Sequence, residues 1–276
     1  MVGLLNMESI FLSDIASENV WKDRLGRMEN SFTKSGIRIT KTTFDPRTEN
    51  GILPRDVYYG IHCGPIYEMD EENAIISSLL CAEKLNDLLK PLLERNSKFT
   101  ALLVGIGNKD AEADALGPLT AEKVFPSLIE DKYLPKLNVI APGVYAHSGI
   151  ETASHTAAIA KAVSADVIIA VDSLSAGCRE NLASYIQIGN CGITPGSGTA
   201  KRGKGITYST VGIPVMAIGI PTVISSSLLF ESKNRGKTHE VRTPPLCVSP
   251  LNCNIVTEVG ASILARAINT IFQKGI

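Results

Sequence analysis

Between Phe99 and Ile224 the chain repeats one pattern, a short and nearly unbroken apolar run followed by residues with helical spacing. TALLVG (Thr100 to Gly105), LNVIAPG (Leu137 to Gly143) and ADVIIAVDSL (Ala165 to Leu174) are such runs. A strand with one wet face alternates polar and apolar residues, whereas a continuous apolar run has to be covered on both faces, as parallel strands in α/β proteins are. An alanine-rich helix from Glu151 to Val163 stands directly before the third run, so this stretch reads as β-α-β. SYIQIG (Ser184 to Gly189) and IPVMAIGIPTVI (Ile213 to Ile224) add strands, and Ile255 to Phe272 closes the chain as an amphipathic helix. Upstream, apolar residues at Ile75, Ile76, Leu79, Leu80, Leu85, Leu88 and Leu89 mark a long helix over Asp70 to Arg95, bent at Pro91. Ile37 to Phe44 alternates like a half-buried strand of a hairpin or arm. These elements predict one α/β domain over residues 1–276.

Composition narrows the function. With 27 basic against 28 acidic side chains and 44% hydrophobic residues, the 276-residue chain is globular rather than disordered. An isoelectric point near 6.4 gives no footprint for nucleic acid. No uncharged apolar run approaches the roughly 18 residues of a membrane span, and the start lacks a basic, cleavable leader, so the expected location is cytoplasmic. The six cysteines are scattered without a CxxC pair, and the four histidines form no HExxH. The expectation is buried free thiols, no metal and no cofactor.

In open α/β sheets, chemistry gathers at the carboxyl ends of the strands. TALLVG ends in Gly105-Ile106-Gly107-Asn108 and runs through Asp110, Glu112 and Asp114 into Leu116-Gly117-Pro118. A dinucleotide fingerprint would need a third glycine and an immediate helix, and Lys109 to Leu116 intervene. Asp172 ends VIIAV at the matching place. Two carboxylates facing one crevice at the rim of an apolar core repel one another, which leaves one as proton donor and one as acceptor for attack by water. Capping of a helix or turn is the alternative role for each. His147 sits in the loop of APGVYAHSG within reach of the same crevice, and Arg179 follows the Asp172 strand as a group to hold the acid or the substrate. Ser148, Ser173, Ser175 and Cys178 lie in no G-x-S-x-G elbow with a histidine partner, which argues against a serine or cysteine hydrolase. Two Gly-, Ser-, Lys- and Arg-rich loops, Gly192 to Thr210 and Ser225 to Pro245, lie outside the scheme; in the first, Lys201-Arg202-Gly203-Lys204 either meets acidic substrates or stays solvated.

Taken in order, LLVGIGN…ADALGPLTAEKV, APGV…SGIETA, VIIAVDSLSA, IQIGNCGITPGSG and GIPVMAIGIPTV resemble the spore germination protease family. SDIASEN near Ser13 is similar to that family's mature N-terminus, and VSPLNCNIVTEVGASILARAINTIF to its final helix. The resemblance implies a three-layer phosphorylase/hydrolase-like fold with a mostly parallel central sheet flanked by helices. It implies an atypical aspartic endopeptidase that degrades small acid-soluble, DNA-protecting spore proteins in the forespore or spore core. Its two essential aspartates match Asp114 and Asp172. Gly105, Gly107, Asn108, His147 and Arg179 are the expected substrate-binding residues, with the glycine-loop amides as donors to an oxyanion. The partners implied are the spore proteins as substrates and a homo-oligomer, a tetramer in the family, with no nucleic acid and no membrane.

The G-x-G-N…D-x-x-G pattern is also similar to hydrogenase maturation peptidases, which use nickel for recognition, so a nickel-dependent processing peptidase is the alternative. A catalytically silent paralogue that only binds proteins is the other. Three stretches depart from the family. Only residues 1–12 precede SDIASEN, as a short prosegment or arm of what is usually a zymogen; Lys41 to Pro65 has no clear match; and Ser225-Ser226-Ser227 stands where an acid is common.

Overall fold

The computed structural model describes residues 13–18, 26–33, 36–44, 55–95, 99–128, 135–196, 203–230 and 246–273. Residues 1–12, expected as a prosegment or arm, and Lys201 and Arg202 lie outside the described residues. The apolar runs form strands β4 (Thr100–Gly105), β5 (Lys136–Ile140), β6 (Val167–Ala176), β7 (Tyr185–Gly189) and β8 (Val215–Ser225). Upstream lie β1 (Arg27–Phe32), β2 (Arg38–Phe44) and β3 (Asp56–His62), and near the end the short β9 (Cys247–Val248). All nine join one sheet in the order β1-β2-β3-β7-β8-β6-β4-β5, with β9 beside β8.

The sheet is mixed. β8, β6, β4 and β5 pair in parallel, and every pairing on the β1, β2, β3 and β7 side is antiparallel. The expectation of a mostly parallel sheet therefore describes one half. The reason lies in the covering: β4 and β6 are buried on both faces, whereas β1 is exposed along its whole length and β2 is only partly buried. Only the first kind of strand needs helices on both sides.

Those helices form the outer layers. α1 (Glu71–Arg95), α2 (Leu116–Lys123) and α7 (Cys253–Phe272) cover one face, where Leu85, Leu89, Leu116 and Leu264 pack on Leu103, Ile169 and Ile218. The alternate residues Leu102, Val104, Ile168 and Ala170 face the other way, against Ala153 and Ala160 of α4 (Thr152–Ala162). Pro91 is accommodated inside α1, which continues to Arg95. Short helices α3 (Tyr145–Ser148), α5 (Tyr208–Val211) and α6 (Ser226–Phe230) sit in the connections. α7 is long and apolar enough by composition to cross a membrane, yet 61% of that apolar window is buried inside the protein, as a core helix requires.

The contact that places the candidate site is made without side chains. A Cβ on Gly117 would stand 2.2 Å from the Ile106 oxygen, 2.4 Å from the Ile106 nitrogen and 2.5 Å from the Val171 oxygen. A Cβ on Gly105 would meet the Gly117 oxygen at 2.3 Å. The start of α2 thus rests directly on the end of β4 and the middle of β6, held as well by the Ile106 amide donating to the Val171 oxygen at 2.8 Å. Backbone on three sides has no rotamer to escape into. Gly117→Ala is expected to lower stability by about 3 kcal/mol in urea unfolding; a loss under about 0.5 kcal/mol would contradict this packing.

Candidate active site

β4 stops at Gly105, paired with Val171, while β6 runs on to Ala176. Asp172 is therefore the first residue of β6 past the end of its neighbour, still paired on the other side with Gly219 of β8. The strand end expected at Asp172 is the end of β4's cover rather than of β6 itself. Asp172 is only 5% exposed, and its Oδ1 accepts the Ser173 amide at 2.8 Å.

Asp114 arrives from the other side, in a 3-10 turn, Glu112–Asp114, just before α2. Its Oδ2 accepts the Asn108 amide at 2.7 Å, and the turn is tied to β8 where the buried Thr222 hydroxyl donates to the Ala113 oxygen at 2.6 Å. Gly107, with φ +123°, lets this turn come close: a Cβ there would lie 2.0 Å from the Asp114 oxygen. Neither acid caps a helix, since Ala115 holds the N-cap of α2.

Asp114 and Asp172 line one cavity of about 490 Å³. Burial raises both carboxyls above the ordinary range. For Asp114 the Asn108 amide works against that rise. For Asp172 the rise is larger, because the charges of Asp114 and Asp14 add to burial and only the Ser173 amide opposes them. The environment thus separates the two acids, with Asp172 the better keeper of a proton and Asp114 the better carboxylate.

The other expected residues divide. Gly107 lines the cavity, whereas Gly105 packs under α2. Asn108 serves Asp114 through its amide and turns its side chain to the Asp110 amide at 3.0 Å. The Ile106 and Asn108 amides are thereby engaged within the protein. His147 and Arg179 are exposed and do not line the cavity, although Tyr145 and Ala146, just before His147, do. Lys204 of the basic loop stands at the cavity wall.

Asp14 and Thr222 line the cavity and escaped the sequence reading; Ser173, set aside there as a nucleophile, lines it too, and its buried hydroxyl oxygen has no hydrogen-bond partner among the described residues. The thiols offer no nucleophile. Cys178 is pushed up to about 12 by burial and by Glu18, and Cys63 likewise by burial. Cys81 and Cys253 are buried as expected, and Cys247 is exposed. Among the described residues, no three His, Cys, Asp or Glu side chains converge as a metal site.

The buried Asp172 and the half-buried Asp114 thus share one cavity, in unlike environments, beside the end of β4. The family model for germination proteases matches residues 11–232, and the chain belongs to that family. Among relatives, a germination protease of Priestia megaterium is 38% identical over 228 residues, covering 77% of this chain and 61% of that one. Another, from Clostridium tetani, is 38% identical over 147 residues and covers 50% of this chain and 46% of that one. A germination protease of Caldanaerobacter subterraneus is 28% identical, covering 88% and 87%. In the first two comparisons the chain spans about half to three fifths of the relative's length. A solved [NiFe] hydrogenase maturation protease, HycI from Thermococcus kodakarensis, covers 67% of this chain and 99% of that one at 20% identity and a TM-score of 0.36, a likeness too slight to carry argument.

The raised Asp172 carboxyl makes a statement about stability. A folded-state pKa above the unfolded one, about 3.9, means that the folded protein holds the proton more tightly; the stabilisation is complete below the unfolded value and is lost as pH rises through the folded one. Asp172→Asn removes that loss. The Tm of this variant minus that of the wild type is expected to grow from pH 4 to pH 8, and a constant difference would show Asp172 to be ordinarily ionised.

Proposed function

We propose that residues 1–276 act as a single peptidase domain, an endopeptidase that cuts small acid-soluble spore proteins during germination in the spore core. What carries the reading is the placing of Asp114 and Asp172 in one cavity in unlike environments. Membership of the germination protease family supports it.

In the mechanism that follows, Asp114 is the base and Asp172 the acid. Water in the cavity gives a proton to the Asp114 carboxylate as its oxygen bonds to the peptide carbonyl carbon. Asp172 lends its proton to the carbonyl oxygen, whose electrons it steadies as the carbon becomes tetrahedral. When the carbon–nitrogen bond breaks, the proton on Asp114 passes to the leaving amine and the carbonyl forms again, returning Asp172 its proton. The Ser173 hydroxyl, without a partner among the described residues, is a donor for the substrate backbone, beside a glycine loop whose Ile106 and Asn108 amides are already engaged within the protein. Lys204 at the wall suits an acidic substrate. His147 and Arg179 would reach substrate only beyond the cavity.

Asp114→Asn and Asp172→Asn are each expected to slow cleavage of a small acid-soluble spore protein, followed by intact mass, by at least about a hundredfold while the fold stays intact. A strong chelator should leave the wild-type rate unchanged. A variant that cuts at the wild-type rate would overturn the pair, chelator sensitivity would support the nickel-dependent alternative, and a wild type that binds without cutting would mark a silent paralogue.

A further inference from the structure

Besides Asp114 and Asp172, a third aspartate lines the cavity, and it comes from the far end of the chain. Residues 13–18 lie along the stretch of β6 beyond Asp172. The Asp14 amide donates to the Ser175 oxygen at 3.0 Å, and the Ser175 amide donates to Asp14 Oδ2 at 2.8 Å. This happens where β6 shifts register against β8, between Leu174 and Ser175. The buried Gln187 of β7 clamps the same segment from both directions: its Nε2 donates to the Asp14 oxygen at 3.0 Å, and its Oε1 accepts the Ala16 amide at 2.7 Å.

Side chains finish the anchoring. Ile15 is fully buried among Ala176, Tyr185 and Ile224. The Glu18 carboxylate accepts the Gly177 amide at 2.6 Å and the Asn181 side-chain amide at 2.7 Å. A loose terminal arm would swing a carboxylate away from two others, because like charges repel at the rim of an apolar core. Here the backbone of Asp14 is fixed on both sides, so its carboxylate stays at the cavity.

We infer that Asp14 is a positioning residue of the acidic site, a third carboxylate held where its charge helps to keep one proton on the Asp114 and Asp172 pair. The inference rests on the aspartate-pair reading of the site. The charged groups facing Asp172 across the cavity are Asp114 from the 3-10 turn and Asp14 from the N-terminal segment. β8 presents Gly219 opposite it. Farther around the wall stand Glu151 before α4, Lys204 from the basic loop and the Cys247 thiol of β9. Negative groups thus outnumber positive ones among the described residues at the cavity, and Asp14 ranks after burial and Asp114 among the causes that raise Asp172. A proton retained on the pair at neutral pH is what an acid and a base working together require.

Asp14→Asn is the substitution to make, because an asparagine oxygen still accepts the Ser175 amide while the charge is gone. In the full chain, the side-chain carboxyl carbons of Asp114 and Asp172 would be titrated by NMR, and the rate of cutting a small acid-soluble spore protein measured across pH. Loss of the charge should move the upper titration of the pair, and with it the alkaline limb of the rate profile, down by about one pH unit. The comparison is repeated with Asp14→Glu and Asp14→Gln, which share one packing change and differ in charge; the glutamate variant should keep its limb higher. An unmoved titration in Asp14→Asn, or glutamate and glutamine variants that titrate alike, would overturn the inference and leave Asp14 a packing role. A titration that moves while the rate profile stays put would uphold the coupling of Asp14 to the pair and count against the pair as the catalytic group.

Discussion

Two carboxylates do not approach one another in an apolar setting of their own accord, and the backbone packing around Gly117 is what obliges them to. With no side chain, Gly117 settles between Ile106, the residue after β4, and Val171, the residue before Asp172. Asp114 stands three residues before Gly117, so the same contact that seats α2 on the sheet delivers Asp114 to Asp172. Thr222, Gly107 and the Asn108 amide only refine that placement. The core supplies the force: Leu116, directly before Gly117, is fully buried with Leu103, Ile169 and Ile220, and each such side chain contributes about 1.5 to 3 kcal/mol on burial.

That packing has a cost that falls on the site. An ionised carboxylate withdrawn from water is unstable unless it is paired or donated to, and Asp172 has one amide donor and two carboxylates as neighbours. The fold tolerates this because the residues around it are over-determined: β6 is paired with β4 and β8, and the segment 13–18 is fastened to its far end. Stability given up at the site goes with an Asp172 carboxyl that holds its proton above the usual carboxylate range. The same logic explains why Asp114 and Asp172 differ although both are aspartates with one amide donor and each repels the other; Asp172 is the more deeply buried and also feels the charge of Asp14.

Much of this was legible in the sequence, for reasons specific to each part. Unbroken apolar runs such as VIIAV could only be strands covered twice, and those elements appear within a few residues of their expected places. Asp114 and Asp172 were legible because a strand end has a defined direction in an α/β sheet. The antiparallel half was harder, since β1 is exposed throughout and its pairing depends on neighbours rather than on its own pattern. Asp14 and Thr222 were illegible because each reaches the cavity through contacts more than a hundred residues distant in the chain. His147 and Arg179 show the converse: proximity in sequence to a strand end does not fix which way a loop side chain turns, and both are exposed away from the cavity wall.

The central claim is that the Asp114 and Asp172 pair retains a proton at neutral pH, chiefly on Asp172. Infrared difference spectroscopy of the full chain reads this directly, because a protonated carboxyl absorbs apart from an ionised one. At pH 7 the wild type minus Asp172→Asn should show the band of a protonated carboxylic acid. A difference spectrum carrying only the carboxylate bands would mean that Asp172 is ionised and would contradict the account.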